Sequence, residues 1–212
     1  MRASTTQIGR VSKRSLYKLL LVLVSLCLWA SPAMAVESPR AVVQNGADQV
    51  LSILRQHPQP SPARVQQIEA VISRYFDFET MARMAVGRRW KSVSPVQQKE
   101  FIREYKKLLF ATYLGDIERY SNEQIRFFTR SLSPEYALVE GSVYNGGNPI
   151  YLDYSLHLKD GNWEVYDVAV SGISLAVNYR DQFNAFLATR SFNDLLAALR
   201  QKTDRMCRFG RC

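Results

Sequence analysis

The sequence predicts an α+β domain: a four-stranded antiparallel twisted sheet with helices packed on one face. Apolar residues recur at three- and four-residue spacing through most of residues 39 to 120, and from Glu123 to Gly172 the period changes to two. The two patterns meet at Trp163 to Phe183. There a strand rich in β-branched residues (Val165, Val168, Val170) stops at Gly172, and beyond Ser174 the apolar positions Leu175, Val177, Tyr179, Phe183, Phe186 and Leu187 no longer alternate and suit a helix with one wet face. A sheet's last strand therefore hands over to a packed helix.

Residues 1 to 35 read as a secretory leader. Arg2, Arg10, Lys13, Arg14 and Lys18 precede an apolar run from Leu19 to Ala30, and Ala33-Met34-Ala35 offers the small residues of a cleavage point. A spanning helix needs about 20 apolar residues, and this run is shorter and closed by Pro32. A lipid-modified Cys27 is disfavoured by the bulky Leu26 before it. The mature chain then starts at Val36, with one α+β domain over 36 to 202 and a basic, Cys-containing tail over 203 to 212.

Two amphipathic helices, about 39 to 56 and 63 to 74, flank the proline-rich connection His57 to Pro62. Asp77 is placed to cap a short helix carrying Met81, Met84 and Val86, and Gly87 to stop it. Ser94-Pro95-Val96-Gln97 is a capping box with proline at the first helical position, opening a long helix to about 120. Its apolar face, from Phe101 to Ile117, is wide enough to meet more than one neighbour. Four strands follow at roughly 124 to 132, 136 to 145, 149 to 159 and 162 to 170. Ser133-Pro134, Asn145 to Asn148 and Asp160-Gly161 supply their turns. In the third strand Ile150, Leu152, Tyr154, Leu156 and Leu158 take one face, and Tyr151, Asp153, Ser155, His157 and Lys159 the other. A strongly twisted sheet of this kind curls into a cone with an apolar interior.

Composition narrows the function. The chain holds 28 basic and 19 acidic residues; five of the basic ones lie in the leader, leaving the remainder at only +4. Arg83, Arg88, Arg89, Lys91, Arg103, Lys106 and Lys107 are interleaved with acidic and apolar residues instead of forming a stripe, so no nucleic-acid partner is expected. The sequence has two histidines and no nucleophile elbow, zinc-protease helix, P-loop or dinucleotide fingerprint. His157 and Asp153 share a strand face about 13 Å apart, beyond direct hydrogen bonding. Neither an enzyme nor a metal site is expected, with a Tyr154–Asp167 isomerase-like dyad kept as the catalytic alternative. Cys207 and Cys212 suit a small disulfide loop in an oxidising compartment, or a bridge between chains.

Two blocks carry a resemblance. Tyr166-Asp167-Val168, Ser171 to Leu175 and Asn178-Tyr179-Arg180-x-Gln182-Phe183 form one. Phe76-Asp77-Phe78-x-x-Met81-Ala82, Gly87-x-x-Trp90, Ser94-Pro95-x-Gln97, Phe101 and Leu108-Leu109-x-x-x-Tyr113 form the other. In order and spacing they resemble the MlaC family of periplasmic phospholipid carriers of the lipid-asymmetry pathway, also called toluene-tolerance auxiliary proteins. The resemblance implies a cystatin-like or nuclear-transport-factor-like cone, periplasmic localisation, phospholipid as cargo with no cofactor, and two partners: an outer-membrane lipoprotein-porin complex and an inner-membrane ABC-transporter complex. A hopanoid or another apolar lipid stays open as cargo, as does a structural adaptor without a cavity.

A two-chain lipid exposes on the order of 30 methylenes, costing some 20 kcal/mol or more to release into water at about 0.8 kcal/mol each. A carrier must therefore bury them in an uncharged hollow whose helices shift to fill and empty it. The expected lipid-binding lining is Leu109 and Tyr113 on the long helix, Val139 and Val143 on the second strand, Leu152, Tyr154 and Leu156 on the third, and Val168 and Val170 on the fourth; each serves equally well as ordinary core. Glutamate at position 156 is expected to abolish lipid binding without unfolding the chain.

Overall fold

The computed structural model describes residues 36–118, 125–144 and 149–208. The leader, the 145–148 turn and Cys212 lie outside the described residues. Helices α1 (Pro39–Gln56), α2 (Pro62–Tyr75), α3 (Phe78–Val86) and α4 (Pro95–Ile117), with a 3₁₀ turn at Gly87–Ser92, precede the sheet. Serine caps the first two and α4: Ser38, Ser61 and Ser94 accept the amides of Ala41, Arg64 and Gln97, each with proline next in the chain. The Ser94–Gln97 capping box is complete. Asp77 caps α3 by accepting the Thr80 amide at 2.9 Å. Gly87, at φ +66°, stops it in a conformation that side-chain-bearing residues rarely adopt.

The sheet follows, with order β1-β2-β3-β4-β5 and every pairing antiparallel: β1 (Ile125–Ser131), β2 (Tyr136–Val143), β3 (Ile150–Lys159), β4 (Asn162–Val170) and β5 (Ile173–Ser174). It has five strands, one more than expected. Ser171 and Gly172 both take left-handed φ, 48° and 81°, which folds the chain straight back so that Ile173 and Ser174 pair with Val170 and Ala169. A two-residue strand has no alternation to read, which is why the period-two pattern ends before it.

One face of the sheet carries Phe127, Val139, Leu156, Val165 and Val168 against Val42 and Val43 of α1. Phe128, Tyr136 and Tyr151 stand exposed on the other. Strict alternation fails once on β4. The register shifts between Ser155 and Leu156, which pair with Asp167 and Val165, so Tyr166 is an inserted residue and both Val165 and Val168 face inward.

Helices α5 (Leu175–Leu187) and α6 (Phe192–Arg208) complete the fold. Val177, read as part of the apolar face of α5, is exposed. α6 runs to Arg208, so residues 203 to 208 of the expected tail are helical. Leu195, Leu196 and Leu199 are buried, Thr203 continues their stripe, and Met206 packs beside it. Ser191 and Asp194 cap the start reciprocally.

Candidate functional site: an apolar cavity

Among the described residues, the buried apolar side chains separate into three clusters. The first joins α3, α4, α5 and α6 around Phe101, Tyr105, Tyr179 and Phe183. In the second, the start of α1 packs on the sheet around Val139 and Leu156. The third sets α1 against α2 and the C-terminal half of α4 around Leu54, Ile68 and Leu114. Between them lies a cavity of about 490 Å³ whose walls draw on all three.

Its lining is almost wholly aliphatic and aromatic: α1 contributes Val43, Ala47 and Leu51, α2 Ile72 and Tyr75, α4 Leu109 and Phe110, and the sheet Ile125, Val143 and Ile150. Among the described residues, Asp116, exposed near the end of α4, is the one charged side chain that lines it. Burial pushes the Tyr154 hydroxyl up to about 12. Tyr113 is raised to about 12 as well, first by burial and then by neighbouring Tyr179 and Asp116. Both phenols therefore remain neutral at any physiological pH and add no charge to the lining. Gly46 lets the Tyr75 ring approach the α1 backbone, since a Cβ there would meet the ring at 3.2 Å.

Of the nine residues expected from the sequence, Leu109, Tyr113, Val143, Leu152, Tyr154, Val168 and Val170 line this cavity. Val139 and Leu156 do not. Both have no exposed surface and are packed beneath α1 by Val42 and Val43, because α1 covers the middle of the sheet and leaves its Val143–Ile150 end open to the hollow. Missed by sequence reasoning were Val42 to Leu54 of α1 and Val71 to Tyr75 of α2, which together form one wall. Their amphipathic spacing was legible, but spacing alone does not say whether an apolar face meets a neighbour or a void.

The polar alternatives resolve differently. Asp167 pairs across the ladder with Ser155 while Tyr154 pairs with Val168, so the two candidate dyad residues point to opposite faces. Asp167 accepts the Ala176 amide at 3.0 Å and the Ser174 hydroxyl, tying β4 to the first turn of α5. His157 meets Asp77 and not Asp153. Its Nε2 lies 3.2 Å from Asp77 Oδ2, outside hydrogen-bonding alignment, with the ring against Tyr166. Asp77, His157 and Glu164 bring ligand-type atoms within 4.8 Å of one another, yet Lys159 Nζ donates to Asp77 Oδ2 at 2.9 Å and lies 3.9 Å from Glu164. A lysine ammonium thus supplies the cation that this cluster needs. Burial would raise the Asp77 carboxyl, but hydrogen bonds from the Thr80 amide and hydroxyl and from Lys159 outweigh it and hold the group at about 2. Cys207 is disulfide-bonded, with its partner outside the described residues.

Comparison with known proteins decides the family. The sequence profile of the MlaC protein matches residues 44–201. The chain belongs to the MlaC family. It is 21% identical over 195 residues, 87% of this chain and 91% of the relative, to the intermembrane phospholipid transport system binding protein MlaC of Haemophilus influenzae. With the toluene tolerance protein ttg2D of Pseudomonas putida it shares 24% over 181 residues, 82% and 84% of the two chains. A solved phospholipid-binding protein from Ralstonia solanacearum, in complex with a phospholipid, superposes with a TM-score of 0.76 at 26% identity, covering 81% of this chain and 99% of that one. The MlaC fold is therefore common to this chain and a protein that holds a phospholipid.

Proposed function

We propose that this MlaC-family chain is a periplasmic, non-enzymatic carrier that buries the acyl chains of a phospholipid in the cavity between its three apolar clusters. The observation that carries this reading is the hollow itself, about 490 Å³ with a single charged side chain among the described residues that line it. Apolar walls of this extent left to water forfeit about 0.8 kcal/mol for each methylene that could be buried against them, so they favour an apolar occupant. Leu109, Tyr113, Val143, Leu152, Tyr154, Val168 and Val170 contact the tails in this reading, and the head group stays in water at the open end of the sheet. The secretory leader delivers the chain, after cleavage near Ala35, to the compartment between two membranes. There it exchanges lipid with an outer-membrane lipoprotein-porin complex and an inner-membrane ABC-transporter complex.

Denaturing mass spectrometry of the purified mature chain tests this. Phospholipid at about one per chain supports the reading. A chain that carries no lipid and takes up none, or that carries only a polycyclic lipid, overturns it.

A further inference from the structure

Among the described residues, three tyrosines line the hollow, and their hydroxyls differ in what they meet. Gln49 Nε2 donates to the Tyr75 hydroxyl at 2.5 Å. Tyr113 and Tyr179 share a hydrogen bond. Tyr154 is different. No backbone or side-chain group among the described residues hydrogen-bonds its hydroxyl, and its ring is held edge-on by Phe127 at 6.1 Å. Tyr154 retains some accessible surface, yet its hydroxyl is withdrawn from bulk water, since burial alone raises it. The surface that it shows is therefore the surface facing the hollow.

An unpaired hydroxyl in an apolar wall is a cost that phenylalanine would avoid. Water is a poor remedy, because a buried water needs about two to four polar partners. The neighbours of Tyr154 on the inward face are Val139 and Val168 across the ladder and Leu152 and Leu156 along the strand, and none of their side chains offers one. The partner has to arrive with the cargo. A neutral phenol keeps its proton and donates it, so that partner is an acceptor. Tyr154 lies four residues inside Ile150 at the open end of the sheet, below a head group that stays in water. At that level a diacyl phospholipid carries one kind of acceptor, the ester carbonyls at the roots of its two tails, and beyond them the chains are hydrocarbon.

Resting on the carrier reading, we infer that the Tyr154 hydroxyl donates a hydrogen bond to an acyl ester carbonyl of the cargo, fixing the depth of the glycerol and favouring ester-linked lipids over ether-linked or wholly hydrocarbon ones. The Phe127 contact orients the donor before the lipid arrives, which spares part of the ordering cost of binding.

The experiment titrates delipidated protein calorimetrically with two monomeric short-chain phosphatidylcholines of equal chain length. One is a diester, and the other a diether with a methylene in place of each carbonyl. Tyr154→Phe removes only the hydroxyl. Wild type and variant meet the same two lipids, so the difference in hydrophobicity between the lipids cancels when their affinity ratios are compared. The diester-to-diether ratio should fall about fivefold in Tyr154→Phe, the worth of one net hydrogen bond. An unchanged ratio overturns the Tyr154 contact while leaving the carrier reading in place. Infrared spectra of bound diester lipid with isotopically labelled carbonyls give a second measurement. Wild type should show a band at the lower wavenumber of a hydrogen-bonded ester that the variant lacks, and a wild-type spectrum with only the free-ester band, or one that the substitution leaves unchanged, overturns the contact as well. Wild-type protein that binds neither lipid overturns both the contact and the carrier reading.

Discussion

At the residue scale, Asp77 shows how one side chain serves several purposes. It caps α3 through Thr80, pairs with Lys159 and fixes the joint between α2 and the sheet. Its folded carboxyl is held at about 2 against an ordinary ~3.9. The group is therefore depressed, and the stability it adds is fully present above about pH 4 and lost as pH falls through about 2. Asp77→Asn keeps a capping oxygen but not the charge. It is expected to cost on the order of 2 kcal/mol near neutrality and to flatten the acid limb of a urea-melt series between pH 4 and pH 2. Leu152 and Leu156 make a second contrast on one strand. Leu156, with no exposed surface, is core, so Leu156→Glu unfolds the chain by stranding a buried charge at about 3–5 kcal/mol. Leu152 lines the cavity and is half-buried, so Leu152→Glu should fold while its lipid occupancy falls well below one per chain. Circular dichroism together with mass spectrometry of the two variants separates the roles.

Helix starts dominate the element scale. Ser-Pro opens α1, α2 and α4, and the Ser94–Gln97 box was legible because both partners lie in one short motif. Ser94→Ala removes the cap and half the box and is expected to cost about 1 kcal/mol, or about 2–4 °C in melting temperature for a domain of this size. Elements were harder to read where a local rule is broken by pairing. β5 exists only because Ser171 and Gly172 turn back onto β4. The insertion at Tyr166 brings both Val165 and Val168 inward, against the simple alternation that the strand would otherwise show. The last turns of α6 hide among basic residues, and burial of Thr203 shows only when α4 is beside them.

Over the whole molecule, an apolar hollow of this size couples stability to occupancy. A ligand that binds only the folded chain adds about 1.4 kcal/mol for each tenfold excess over its dissociation constant. Delipidated protein should therefore melt roughly 5–10 °C below the loaded form, with readdition of phospholipid restoring the difference. Amide exchange should rise most in the α1–α2 wall, which makes ten of the lining contributions, Val42 through Tyr75. Equal melting temperatures would mean that the cavity closes or wets without penalty.

By itself the sequence determined the α+β class, the capped helices, the strand positions and the apolar character of most residues that meet the hollow, because periodicity, turn chemistry and capping act over a few neighbours. Its two spaced signatures also pointed to the family. Tertiary structure alone decided which apolar residues touch one another and which face a void. Val139 and Val143, or Leu156 and Leu152, share a strand face and a chemistry, and only the path of α1 across the sheet covers one of each pair and leaves the other open. Packing is a property of the whole chain, so a void appears only after every neighbour has been placed.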